Sequence, residues 1–231
     1  TNNNGYRTPT IRWTTALPGN YTGPITSDGS DRLFTMFPLF PSDGKAYSAA
    51  ACIDANSGSI VWTLALGTYN SDTSFSAPFY YREEKNRSTS DAAEKSGDDE
   101  GFALICFSTL FNTTKQFDLP GGVLCLNPVS GAVVWGANVS FGASSMLASQ
   151  GRLFVVNSLA SHAFNIQAGE LLWRQGGIFG ASSGYGVTVS DDLLISAFYT
   201  GTGPLDCSTT ANRVDNGMMV WTIQGCPSAM T

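Results

Sequence analysis

The sequence predicts an all-β chain assembled from about four repeated four-stranded units, and two observations predict it. One phrase recurs four times, as Gly58-Ser-Ile-Val-Trp62, Gly131-Ala-Val-Val-Trp135, Gly169-Glu-Leu-Leu-Trp173 and Gly217-Met-Met-Val-Trp221. Ahead of each phrase the same order of apolar runs and polar turns returns. A turn glycine held four residues before a large aromatic, copy after copy, marks stacked supersecondary units rather than one irregular domain.

The elements follow in order. Each unit opens on a short stretch of small or apolar residues: Pro24-Ile-Thr-Ser-Asp28, Ser76-Ala-Pro-Phe-Tyr80, Ser145-Met-Leu-Ala-Ser149 and Gly186-Val-Thr-Val-Ser190. A β-rich run comes next: Arg32-Leu-Phe-Thr-Met36, Phe102-Ala-Leu-Ile-Cys-Phe107, Arg152-Leu-Phe-Val-Val156 and Leu193-Leu-Ile-Ser-Ala-Phe198. Its aromatic and branched side chains fit a pleated, half-buried surface. The third piece alternates apolar positions in Ala51-Cys-Ile-Asp54, Val123-Leu-Cys-Leu-Asn127 and His162-Ala-Phe-Asn165, and less cleanly in Ala211-Asn-Arg-Val214. The fourth ends in tryptophan, and the Ser-Gly, Ala-Gly or Asn-Gly pair before it supplies the positive-φ residue of a tight hairpin.

Four such strands form a sheet that cannot bury both faces alone, so successive sheets must stack around an axis. The prediction is a single β-propeller domain over 1–231, with blades near 20–66, 73–139, 142–175 and 184–223. Trp62, Trp135, Trp173 and Trp221 are then blade-packing residues, because a large amphipathic ring buries much area. Two irregularities stand out. The second unit carries polar insertions over 82–101 and 110–120; the first includes Asp98, Asp99 and Glu100, whose spacing lacks a calcium cage and reads as a solvated loop. At the N-terminus, residues 10–16 read as a last strand with no blade before it. That strand belongs to a longer propeller, pairs with the sheet edge after Trp221, or is donated to a neighbouring copy.

Composition excludes several function classes. Charged residues are 13% of the 231, with a formal net charge of -6, so no basic surface is available for nucleic acid. The longest apolar runs fall far short of the roughly 20 residues that span a bilayer as a helix. Sequons at Asn20, Asn86, Asn112 and Asn138 fit N-glycosylation, although 14 Asn among abundant Ser and Thr would give about three by chance. With scarce lysine and 5 cysteines, they point to an extracellular or cell-surface glycoprotein made in the secretory pathway. Cys106 lies on the strand expected beside that of Cys125, so the two can bridge if their register allows. Cys207 and Cys226 flank the last hairpin and are expected to be joined, leaving Cys52 as the spare thiol.

The order strand, Asp or Asn, three residues, Gly, three residues, Trp, as in Cys52-Ile-Asp54-Ala-Asn-Ser-Gly58-Ser-Ile-Val-Trp62, resembles the pyrroloquinoline-quinone-type propeller repeat. The resemblance spans about 20 to 223. It implies the fold of quinoprotein dehydrogenases and of non-enzymatic relatives that include an outer-membrane assembly lipoprotein and stress-sensor luminal domains. The enzymatic branch would imply an adjacent cysteine pair, a tryptophan over the quinone and a calcium at the propeller centre. The chain has no Cys-Cys pair and no aspartate that can be matched to the catalytic one. No catalytic, cofactor-binding or metal-binding residue is therefore assigned. His162 has no nucleophile elbow around it, and the glycine-rich stretch from Gly176 to Gly186 precedes a strand instead of the helix a phosphate loop needs.

The expected function is a non-catalytic binding or assembly module that works through a protein partner or its own copies, without nucleic acid or membrane insertion. The alternative is a small-ligand or quinone-dependent catalytic propeller with its site at the axial mouth. Charged and aromatic residues gathered at that mouth would favour the alternative; an exposed apolar edge near 10–16 would favour assembly.

Overall fold

The computed structural model describes residues 12–17, 23–40, 47–68, 77–83, 102–109, 122–139, 145–157, 160–176, 183–199 and 207–225. Among them the secondary structure is sixteen strands in four antiparallel sheets, each with its strands in chain order. The first blade holds β1 (Ile25–Ser27), β2 (Arg32–Leu39), β3 (Tyr47–Asp54) and β4 (Ile60–Thr68). The second holds β5 (Phe79–Arg82), β6 (Ala103–Thr109), β7 (Gly122–Leu126) and β8 (Val133–Asn138). The third is β9 (Ser145–Ser149), β10 (Arg152–Val156), β11 (Ala160–Asn165) and β12 (Leu171–Gly176). The fourth is β13 (Ser183–Ser190), β14 (Leu193–Tyr199), β15 (Cys207–Arg213) and β16 (Met219–Gln224). First strands touch in succession, β1 with β5, β5 with β9 and β9 with β13, which places them around a common axis.

The core lies between blades, as sheets with two apolar faces require. Phe34, Met36, Ala50 and Cys52 of the first blade pack with Ile105, Phe107, Leu124 and Leu126 of the second. Leu104, Cys106, Val123 and Cys125 then meet Leu153, Val155, Phe164 and Ile166 of the third. Phe154 and Ala163 meet Leu194 and Val214 of the fourth. Middle strands are the most buried, and the outer strands keep exposed aliphatics such as Val61, Val134, Leu172 and Val220.

Those four exposed residues share a position in the ladder. In every blade the ladder between the third and fourth strands slips by one residue just before the tryptophan, so Cys52, Cys125, Ala163 and Ala211 face Trp62, Trp135, Trp173 and Trp221. The extra residue on the outer strand is a β-bulge, which turns one side chain out of the ladder and adds twist.

The N-terminal reading needs correction. Residues 12–17 lie outside every ladder, and among the described residues no fifth strand joins β16. They form an arm against the first blade, where Leu17 packs with Phe37, Ala49 and Ala51. The insertions over 84–101 and 110–120 lie outside the described residues, as do the sequons at Asn20, Asn86 and Asn112. No helix among the described residues is long and apolar enough to cross a membrane.

Candidate assembly interface

The hairpin between third and fourth strands is a rigid five-residue turn. In the first three blades it opens on Asp54, Asn127 or Asn165, whose side-chain oxygen accepts backbone N–H groups two and three residues on, at 2.6–3.0 Å. This Asx arrangement satisfies donors that the turn leaves unpaired. Each turn closes on a glycine whose N–H donates back to the residue four before it. Gly58, Gly131, Gly169 and Gly217 sit at φ between 70° and 76°, where a Cβ is disfavoured. The fourth turn starts on Arg213, which lacks the oxygen acceptor and instead pairs with Asp192 and Asp215 while Asn216 accepts from the Met218 N–H. That replacement is why the fourth repeat reads less cleanly.

A tryptophan from the neighbouring segment plugs each turn. The Nε1–H of Trp13 donates to the Ala55 carbonyl at 2.9 Å, Trp62 to Pro128 at 3.1 Å, Trp135 to Ile166 at 3.0 Å and Trp173 to Val214 at 2.9 Å. All four acceptors stand three residues before the turn glycine. The indole face lies on that glycine so closely that a Cβ would come within 2.6–2.8 Å of ring carbons. Glycine is thus required twice over, for its backbone angle and for the space its missing side chain leaves. Each contact combines buried aromatic area with a satisfied indole donor.

The fifth tryptophan differs. Trp221 is half-buried, with no hydrogen bond and no neighbouring sheet on it among the described residues. On its face of the fourth blade, Ile223 is 57% exposed, whereas the corresponding Leu64 of the first blade packs into the shared core. At the other end of the stack the arm covers the first blade: Trp13 fills the Gly58 turn, and the Thr15 hydroxyl donates to the Gly58 carbonyl. Arg12 lies close enough to Asp54 to help hold its carboxyl below the usual range, after the larger effects of the Ser57 hydrogen bonds.

The sequence model of the family described as outer membrane protein assembly factor BamB matches residues 46–225. The chain belongs to that family. A comparison with curated proteins finds no match. Similar solved structures include quinohemoprotein alcohol dehydrogenase ADHIIG from Pseudomonas putida HK5, with TM-score 0.48 and 11% identity over 84% of this chain and 32% of that one. A europium-containing methanol dehydrogenase gives TM-score 0.45 and 13% identity over 88% and 44%. BamB from Moraxella catarrhalis gives TM-score 0.40 and 16% identity over 88% and 72%. The chain spans about a third and under half of the two dehydrogenases.

Two hollows on this BamB-family stack differ in their chemistry. The axial one, about 320 Å³, is lined by Ala77, Pro78, Phe79, Ser145, Met146, Gly186 and Val187, without a charged side chain. A groove of about 440 Å³ lies instead at the seam of second and third blades, where Asn138 faces His162 and Arg174. His162 is buried, stacked on Phe164 at 6.1 Å, with Nδ1 unpartnered. Burial pulls its pKa down to about 4, against the raising effect of a hydrogen bond to the Val155 backbone and with a smaller lowering from Arg174. The imidazole is neutral at pH 7.

Cys106 and Cys125 face each other across β6 and β7 and form a disulfide, 4.0 Å between Cα atoms. Cys207 is also disulfide-bonded, while Cys226 lies outside the described residues. Cys52 is a buried free thiol whose pKa burial pushes up to about 11. Asn138 is exposed at the end of β8.

Proposed function

We propose that this chain is a non-catalytic, extracellular assembly module: a propeller arc that joins other β-sheet proteins through the ends of its stack. The observation that carries the reading is the last face of the stack. Trp221 and Ile223 repeat the chemistry that binds blade to blade inside the molecule, and among the described residues no sheet covers them: Ile223 is exposed and Trp221 half-buried. The lining of the axial hollow supports it too, because general acid–base chemistry needs a titratable group placed at the reacting centre, and that hollow presents none among the described residues. The disulfides and the sequon at Asn138 support an oxidising, secretory setting.

The test is photo-cross-linking from Ile223, using a benzoylphenylalanine placed there in protein made by a secretory host. The reading predicts a protein adduct of defined mass that is lost when Trp221 is also replaced by Ala. No adduct, with capture of a small ligand instead, would contradict it. The His162 groove favours a second reading, small-ligand binding at the seam of two blades rather than at the axial mouth, since an unpaired buried acceptor beside Arg174 is a polar group awaiting a partner.

A further inference from the structure

The seam between the second and third blades breaks the pattern of the repeat beside the tryptophan. Cys52, Cys125, Ala163 and Ala211 lie opposite their tryptophans. One step further along each ladder the facing pairs are Ala51 with Thr63, Leu124 with Gly136, His162 with Arg174 and Thr210 with Thr222. Only the third blade puts ionisable groups there. The surface of the second blade that meets them is cut back as well. Leu64 fills the first seam against Leu124 and Leu126, whereas its counterpart two residues past Trp135 is Ala137. The missing side-chain volume leaves the groove of about 440 Å³ that Ala137, Asn138, Phe164 and Leu171 line around His162 and Arg174.

Packing alone does not ask for this pair. Leu124 holds the place equivalent to His162 and is fully buried without burying a polar atom. His162 is 5% exposed and its Nδ1 has no partner, so desolvation of that nitrogen goes uncompensated. Opposite it, Arg174 is exposed and among the described residues pairs with no carboxylate, while Arg32 and Arg213 each do. A chain that departs from its own repeat at a cost in stability keeps those residues for something other than folding.

We infer that this groove binds a small monocarboxylate with an apolar body, its carboxylate on the Arg174 guanidinium and its body against Phe164 and Leu171 in the space that Ala137 leaves. The inference rests on the small-ligand reading of the groove and names the ligand class. A guanidinium offers two parallel N–H donors that match the two oxygens of a carboxylate. His162 is neutral at pH 7, so the lining carries one positive charge. That charge balances one carboxylate but leaves a phosphate monoester, with nearly two negative charges, undercompensated. Apolar walls beside the guanidinium strengthen the pairing relative to open water.

Benzoate and its uncharged isostere benzamide test this on the whole chain. His162 is the single histidine of the sequence, so its ring signals report on the groove directly. In a heteronuclear NMR titration, benzoate is expected to shift those signals saturably, and benzamide to bind about tenfold more weakly or worse. Arg174→Gln should weaken benzoate by a similar factor, and Arg174→Lys should restore part of the affinity. Ala137→Leu should exclude benzoate by filling the groove with every charge in place, and circular dichroism checks that each variant is folded. Benzoate that binds Arg174→Gln as tightly as the parent, or that is displaced by inorganic phosphate at equal concentration, overturns the inference. If benzamide binds as tightly as benzoate and Ala137→Leu excludes both, the carboxylate assignment is wrong and the small-ligand reading stands. If neither probe moves the His162 signals, both fall together.

Discussion

At the scale of single residues, the fold turns on glycines that do two jobs. Gly169 sits at φ 71° beneath Trp135, whereas Gly151 sits at φ 70° with open space around it. Both are punished by a Cβ through the left-handed backbone, at about 1–2 kcal/mol. Only Gly169→Ala must also push an indole aside, and we expect it to cost roughly 2–4 kcal/mol, within the range of disrupted core packing. Chemical denaturation of the two alanine variants reads the difference; equal losses would mean that the indole contact contributes nothing. His162 adds a pH dependence with a defined sign. Its folded pKa, about 4, lies below the ordinary 6.5, so the unfolded chain binds the proton more readily. Stability is full above about pH 6.5, falls as pH drops toward 4 and then levels off for this group, by roughly 3 kcal/mol in all. Denaturation midpoints for the parent and His162→Gln between pH 7 and 4 should converge on acidification; parallel curves would show that His162 is not buried in its neutral form.

At the scale of the element, the hairpin and its bulge explain why the repeat was readable. The Asx residue, the positive-φ glycine and the tryptophan are local chemistry at fixed offsets, so Asp54, Gly58 and Trp62 announce a turn, a lock and a key in nine residues. The bulge at Val61, Val134, Leu172 and Val220 was not legible, because an alternating pattern read from Gly to Trp gives no sign that one residue steps out of register. The groove at His162 was missed for a related reason: Asn138 and Arg174 come from different blades, and only packing brings them together. The Cys106–Cys125 crosslink depended on register, which strand order alone could not provide. It closes a loop with a sequence separation of 19, and the chain-entropy treatment gives about 3 kcal/mol for such a loop. Replacing both cysteines by alanine should lower the unfolding free energy by roughly that amount; a change under about 1 kcal/mol would mean that residual structure already restrains that loop in the unfolded chain.

At the scale of the whole molecule, four sheets lean on one another in sequence, the first three each depositing an aromatic key into the next. The blade order was legible because each blade is built from contiguous chain. The fate of the N-terminal residues was not, since a single strand-like phrase says nothing about which edge or lock will take it; the fold places Trp13 on the first blade instead of beside the last. Among the described residues the arc is asymmetric, with Trp13 filling the Gly58 turn at one end and a half-buried Trp221 that fills no turn at the other. The most direct measurement is hydrogen exchange at the five indole N–H groups, resolved by two-dimensional NMR on a dilute, monomeric sample. Trp13, Trp62, Trp135 and Trp173 donate to backbone carbonyls and should exchange slowly, while the half-buried Trp221, without such a bond among the described residues, should exchange faster than all four. Five equally protected indoles in the monomer, or rapid exchange at the three inter-blade positions, would contradict the account.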